Sequence, residues 1–157
     1  MIGQVVVVGG LAVLAAVLWR QGAFGSSKTG GARTEYRSIP RDGTRRTDLR
    51  VRMGAGVLSL QGGATGLMDA DFTSSQPELA PEFVYRINGN TCEVSITQQL
   101  DHMNIPTSHI RCDWHLRCAN DVPVTIDLES GAGTTDIDLS TVPVQQLRVR
   151  TLSLIHI

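Results

Sequence analysis

The chain has few aromatic residues, no excess of either charge and no even set of cysteines. Aromatics make up 4% of its 157 residues against 41% hydrophobic ones. That excludes a core of stacked rings and leaves Val, Leu and Ile to fill it. A net charge of −1 supplies no global field for nucleic acid or for a strongly acidic partner. Three cysteines cannot complete an intramolecular disulfide framework, so buried free thiols in a reducing setting are the simpler expectation. Beyond residue 33 no segment sustains a 3.6-residue period over three turns, which argues against a helical domain. A nucleophile motif, a phosphate loop and an H-E-x-x-H helix are all missing.

What is present begins with an apolar run. Ile2 to Trp19 carries no charge, and Trp19-Arg20 closes it with an aromatic followed by a cation. A membrane helix needs about 20 mostly apolar residues and often ends this way. The run therefore predicts a transmembrane helix over residues 1–20, with residues 2–19 in the bilayer. Two readings compete with it. A cleaved signal peptide lacks its basic leader and a clean small-residue cleavage site here. A nucleotide-binding first strand, hinted at by Val5–Val8 before Gly9-Gly10, lacks the G-x-G-x-x-G spacing. Arg20, Lys28, Arg33 and Arg37 all follow the run, so the positive-inside rule favours a cytoplasmic position for what comes next.

Residues 21–34 are rich in Gly and Ser and read as a flexible linker. Asp42-Gly43 reads as a tight turn. From 35 to 151 the apolar residues alternate. Leu49, Val51 and Met53 oppose Arg50 and Arg52, and Leu58 and Leu60 follow a Gly-rich break. Cys92, Val94 and Ile96 oppose Glu93 and Ser95. Ile110, Cys112, Trp114, Leu116 and Cys118 alternate with Arg111, Asp113, His115 and Arg117. Val122, Val124, Ile126 and Leu128 alternate with Thr125, Asp127 and Glu129, and Ile137, Leu139, Leu147 and Val149 continue the pattern. Period-two alternation places one set on each face of a sheet, so the domain is predicted to be all-β.

Two segments also repeat. Leu49 to Gly56 aligns with Ile126 to Gly133, each an alternating strand running into Gly-Ala-Gly, and Leu147 opens a third such strand 21 residues after Ile126. A period of about twenty residues with glycines at one corner suits a β-solenoid or β-helix-like stack. Gly54, Gly56, Gly131 and Gly133 are then its structural turns. The competing reading is a pair of hairpins that share a turn.

Thr47 to Gly63 resembles the opening of the toast-rack domain of bacterial LiaF-type cell-wall and membrane-stress proteins. Asp113 to Pro123 resembles that family's W-x-L-x-x-x-x-x-V-P segment, and the second Gly-Ala-Gly follows in the expected place. The resemblance covers about residues 37–151. It implies a β-helix-like fold, membrane helices N-terminal to it and a role in envelope-stress signalling. It implies no cofactor and offers no catalytic residues. One membrane helix instead of several, and Cys112 and Cys118 within the motif region, depart from the pattern.

Residues 152–157 interrupt the repeat where a third Gly-Ala-Gly is due. The codon string CTG TCT CTT ATA CAC ATC would encode them and resembles a transposon-end sequencing adapter. The expectation is that the natural protein continues past Thr151.

Candidate chemistry is sparse. Cys112, His115 and Cys118, with Cys92, His102 and His109 elsewhere, invite a metal hypothesis. On a strand, however, Cys112 and Cys118 lie roughly 20 Å apart and His115 faces the other way, so no metal site is expected. Asp69 with Asp71, and Asp136 with Asp138, have a spacing loosely compatible with glycoside hydrolysis but also with an ordinary solvated strand. Arg45, Arg46, Arg50 and Arg52 form a basic cluster, either a plain charged face or a contact for a partner or anionic lipid. Together with the resemblance, these readings predict a non-enzymatic, membrane-anchored module of envelope (cell-wall antibiotic) stress signalling. Its partners would be the lipid bilayer, through residues 2–19, and a sensor kinase or another envelope-stress protein. The alternative is an extracytoplasmic adhesin-like or ligand-binding β domain, and the side of the membrane separates the two.

Overall fold

The computed structural model describes residues 4–7, 31–99, 111–151 and 155–156. They form one curled, half-barrel-like sheet of ten strands, so the all-β expectation holds. In chain order the strands are β1 (Gln4–Val7), β2 (Arg33–Ile39), β3 (Arg46–Gly62), β4 (Met68–Ser74), β5 (Glu82–Asn88), β6 (Thr91–Thr97), β7 (Cys112–Cys118), β8 (Val124–Asp138), β9 (Val144–Thr151) and β10 (Ile155–His156). A short 3-10 turn at Pro77–Leu79 is the one helical element among the described residues.

The two long strands, β3 and β8, organise the sheet. Each consists of a first leg, a Gly-Ala-Gly corner and a second leg. They run parallel in an unbroken register that pairs Leu49 with Ile126, Leu58 with Thr135 and Gly56 with Gly133. The sequence repeat is therefore the hydrogen-bonded register itself. The next strand keeps step, with Leu147 of β9 beside Ile126. Hairpin arms are antiparallel, so the hairpin reading of the repeat does not hold. On its other edge β3 pairs in parallel with β6 along the first leg and with β7 along the second. The β5–β6 hairpin turns at Gly89, and β4 and β2 extend the second leg in antiparallel fashion.

The corner depends on glycine at two stacked pairs: a Cβ on Gly131 would overlap the carbonyl oxygen of Gly54, and at the Gly56–Gly133 pair the backbone conformation requires it as well. Gly56 and Gly133 have φ of 141° and 133°, a region that L side chains rarely adopt. A Cβ on Gly133 would overlap the carbonyl oxygen of Gly56, and one on Gly56 would overlap that of Cys112.

The bend folds the two legs toward each other, and the core fills the angle between them. Phe72 of β4 meets Trp114 edge to face at 5.5 Å and Phe83 of β5 at 6.0 Å, joining second leg to first. Leu49, Val51, Leu58, Leu60, Leu116, Ile126 and Leu128 are all 2% exposed or less. Full burial of each such side chain is worth roughly 1.5–3 kcal/mol. The alternation holds at β7 as well, where Cys112, Trp114, Leu116 and Cys118 are buried and His115 is exposed. At β9 it weakens. Leu147 is 38% exposed because no further described strand covers it.

Two expectations meet different structure. Gln4–Val7 is a strand paired antiparallel with β5, not the start of a continuous helix. Val5, Val6 and Val7 are β-branched and suit an extended backbone, and the open edge of β5 gives them partners. Residues 1–3 and 8–20, the rest of the expected membrane helix, lie outside the described residues. Among the described residues no helix is long and apolar enough to cross a membrane. The expected linker, 21–34, also falls mostly outside them, and β2 starts within it at Arg33.

Candidate functional site

The first-leg sheet, β5-β6-β3-β8-β9, turns its polar face outward, and strand register sets the side chains in rows. One row runs Ser95, Arg50, Asp127, Arg148, and the next runs Thr97, Arg52, Glu129, Arg150. The curl makes this face a groove of about 570 Å³, lined by Arg46, Asp48, Arg50, Arg86, Glu93, Asp127 and Arg148 among others.

Its charges are unevenly satisfied. Arg46 Nε donates to Asp48 Oδ1 at 3.1 Å, and Arg86 lies 3.8 Å from Glu93. Glu129 receives both Arg52 and Arg150 at 3.1 Å. Among the described residues neither Arg50 nor Arg148 has an ion pair, although both stand beside Asp127 in register. One oxygen of Asp127, Oδ1, is buried with no hydrogen-bond partner among the described residues. The groove therefore offers uncommitted guanidinium groups set on a rigid ladder. Such groups bind carboxylates and phosphates bidentately.

Of the arginines singled out in the sequence, Arg46, Arg50 and Arg52 share this outer face. Arg46 and Arg50 line the groove. Arg52 is tied to Glu129 nearer the corner, beside a second depression of about 520 Å³. Arg45 lies at the turn before β3, where its N–H donates to Asn90 O at 2.7 Å, and does not line the groove. Arg86 and Arg148 complete the site from β5 and β9. The sequence carried no signal for them beyond their outward position on alternating strands.

Of the acidic pairs, Asp69 and Asp71 are both engaged by neighbouring side chains. Asp69 is 2% exposed. Its Oδ1 accepts from Ser38 Oγ at 2.7 Å, and its Oδ2 accepts from Thr65 N at 2.9 Å and Thr65 Oγ1 at 3.0 Å. Asp71 pairs with Arg117 at 2.9 Å. Asp138 is exposed and accepts from the N–H and Oγ of Ser140, which lowers its pKa. Asp136 is exposed on the same strand as Asp138. Register also lines up Ser59, His115 and Asp71 on three neighbouring strands. Among the described residues no hydrogen bond joins them, and Asp71 is engaged by Arg117, so the row lacks the linkage that activates a serine.

Cys92, Cys112 and Cys118 are free, buried thiols, as expected of structural cysteines. Among the described residues no cluster of His, Cys, Asp or Glu could hold a metal ion. His102 and His109 lie outside the described residues.

The family model for the N-terminal domain of toast_rack, DUF2154, matches residues 28–152. No curated protein matches. Among solved structures, a protein of Clostridium sporogenes named as a candidate cell adhesion protein superposes with a TM-score of 0.67 at 24% identity, over 76% of this chain. The chain spans 57% of that protein's length. A candidate adhesin of Bacteroides fragilis aligns over 83% of this chain and 62% of its own, with a TM-score of 0.38 and 13% identity.

Proposed function

We propose that this chain, which belongs to the toast-rack family, is a non-enzymatic docking module of the bacterial envelope that engages an acidic protein surface through its first-leg groove. The observation that carries this reading is Arg50. It sits at the centre of the groove, on a strand hydrogen-bonded along both edges, and has no ion pair among the described residues. A guanidinium held on such a frame loses little further freedom when a carboxylate binds it. The parallel stack of β3, β8 and β9 is the start of a solenoid-like repeat in this reading, which gives the groove a stiff floor.

The envelope-stress context comes from the resemblance of Thr47–Gly63 and Asp113–Pro123 to LiaF-type proteins, and a sensor kinase or another stress component is the partner it suggests. Membrane attachment through residues 2–19 belongs to the same proposal. It rests on the uncharged run and on Trp19-Arg20, and protein left in solution after alkaline washing of membranes would refute it. The alternative is an extracytoplasmic adhesin-like module, the role suggested by the name of the Clostridium protein. A cytoplasmic domain would exclude adhesion, so topology decides between them.

The test is photo-crosslinking in bacterial membranes from position 95, where Ser95 lines the same groove, with and without Arg46→Glu and Arg50→Glu in the same chain. The expected result is an envelope protein recovered under cell-wall antibiotic stress and lost from the double variant, with the fold intact by circular dichroism. Recovery that the double variant leaves unchanged would overturn the groove as the docking site.

A further inference from the structure

Two opposite charges stand side by side in the groove without pairing. Register places Ser95 of β6, Arg50 of β3 and Asp127 of β8 in one outward row. All three strands are interior to the sheet: β6 lies between β5 and β3, β3 between β6 and β8, and β8 between β3 and β9. Among the described residues no ion pair joins Arg50 to Asp127, and Asp127 Oδ1 is buried with no hydrogen-bond donor.

The other carboxylates on this face are engaged. Asp48 holds Arg46 at 3.1 Å, and Glu93 faces Arg86 at 3.8 Å. Glu129, one row on, holds Arg52 and Arg150. A carboxylate oxygen taken out of water without a donor carries a desolvation cost, which a ligand N–H removes on binding. Arg50 offers the complementary half, a planar fork of donors for a carboxylate. Adjacent strands are ~4.8 Å apart, so the two halves are separated by about the span of one or two residues of extended chain, at ~3.3–3.6 Å each. The groove, about 570 Å³, is in the size range of small-ligand sites, roughly 300–1,000 Å³.

We infer that Arg50 and Asp127 form a binding site for a small zwitterion, an amino acid or dipeptide with its ammonium and carboxylate both free. The carboxylate lies on the Arg50 guanidinium, and the ammonium donates to Asp127. Each protein charge also rejects a class of competitor. A small ligand with a carboxylate alone meets repulsion from Asp127, and one with an ammonium alone meets repulsion from Arg50. Selectivity comes from the mismatched charge as much as from the matched one. The inference rests on the groove proposed above for docking and adds to it Asp127 and a small ligand. Both occupants need Arg50, so a bound zwitterion excludes the acidic protein surface and regulates docking.

The full 157-residue chain, isotopically labelled and held in detergent micelles, is titrated with glycylglycine, N-acetylglycylglycine and glycylglycinamide. These probes carry both end charges, the carboxylate alone and the ammonium alone. Chemical shifts of the β3 and β8 amides read binding. Glycylglycine should bind at least about tenfold more tightly than either capped form, the effect of one charged hydrogen bond. Asp127→Asn should weaken glycylglycine about tenfold without weakening N-acetylglycylglycine, so that the preference between them disappears, whereas an unfolded variant would lose both. Arg50→Gln should weaken both carboxylate-bearing probes. Asp136→Asn, which removes an exposed negative charge from the second leg of β8, should leave the preference within about twofold. No envelope protein is present, so failure here is distinct from failure of the crosslinking test of docking. Equal binding of the three probes, binding of none, or a preference that survives Asp127→Asn would each overturn the inference.

Discussion

The side chain of Gln98 stands beside Ala55 as a peptide group of another strand would. Its Oε1 accepts the N–H of Ala55 at 3.0 Å and that of Gly54 at 2.8 Å, while its Nε2 donates to Ala55 O at 3.3 Å. The same Nε2 donates to Cys112 Sγ at 3.1 Å. On the β8 side the corner of β3 is matched by Ala132. On the other side β6 ends at Thr97 and β7 begins at Cys112, and Gln98 fills the interval with a side-chain amide.

Gln98→Ala should therefore destabilise the domain by about 2–3 kcal/mol, because buried N–H and C=O groups lose their partner. Gln98→Glu should recover only part of this, since a carboxylate accepts from Gly54 and Ala55 but cannot donate to Ala55 O. Urea midpoints for the three proteins check the order. Equal midpoints for the glutamate and glutamine forms would show that the donated bond contributes nothing.

Gly133 and Gly63 separate two costs of replacing glycine. Both have positive φ, 133° and 95°, but a Cβ at Gly63 meets open space while one at Gly133 overlaps Gly56 O. Gly63→Ala should cost about 1–2 kcal/mol of backbone strain. Gly133→Ala adds a backbone clash inside a hydrogen-bonded stack and should leave little folded protein at 25 °C. Circular dichroism and analytical gel filtration of the two variants provide the comparison, and similar losses at both sites would refute the stacking argument.

Much of the frame was legible because parallel in-register stacking sets like residues beside like. Leu49, Ile126 and Leu147 align in sequence for the same reason that they adjoin in space. β2, β4 and β5 were not legible. Asp69 is buried in β4 by hydrogen bonds that a hydrophobicity pattern treats as surface, and Glu35 and Arg37 lie at an edge where inner and outer faces both meet water. The valines of β1 satisfied a bilayer pattern and a strand pattern equally, and only the edge of β5 distinguishes them. Arg46, Arg50 and Arg52 could be read as a cluster from one strand. Arg86 and Arg148 join them through pairings that no local window contains, and Gln98 acts on a corner 43 residues away.

The thiols make a prediction at high pH. Burial pushes Cys92 and Cys118 up to about 12 and Cys112 to about 11 from an ordinary 9.0. In the unfolded chain they ionise near the ordinary value, so above it the unfolded state binds fewer protons than the folded one. Their contribution to stability is complete below pH 9 and is lost as pH rises through the folded values. At pH 8 a thiol-specific disulfide reagent should label none of the three in the folded domain and all three in guanidinium. Replacing all three with alanine should flatten the decline in stability between about pH 9 and 11, at the cost of some packing. Fast labelling of the folded protein would show that these sites are open.

Asp69 makes the opposite prediction at low pH. Burial by itself would raise the carboxyl, but hydrogen bonds from Ser38, from the N–H and Oγ1 of Thr65 and from Tyr36 stabilise the anion and hold its pKa below the ordinary 3.8. The folded state therefore releases this proton more readily than the unfolded state does. The resulting stability is complete above the ordinary value and disappears as pH falls through the lowered one. Asp69→Asn removes the titration. It also presents an amide that cannot accept on both sides, so either Ser38 or the Thr65 pair loses its acceptor. Stability at pH 7 should drop by about 1–3 kcal/mol, and the slope of stability against pH below about 4 should become shallower. Asp136→Asn, at an exposed position of β8, controls for the loss of one negative charge and should leave stability at pH 7 within about 0.5 kcal/mol of wild type. Urea midpoints from pH 2.5 to pH 7 for the three proteins decide the matter. If the Asp69→Asn curve runs parallel to the wild-type curve throughout, the buried network is packing alone and its charge contributes nothing.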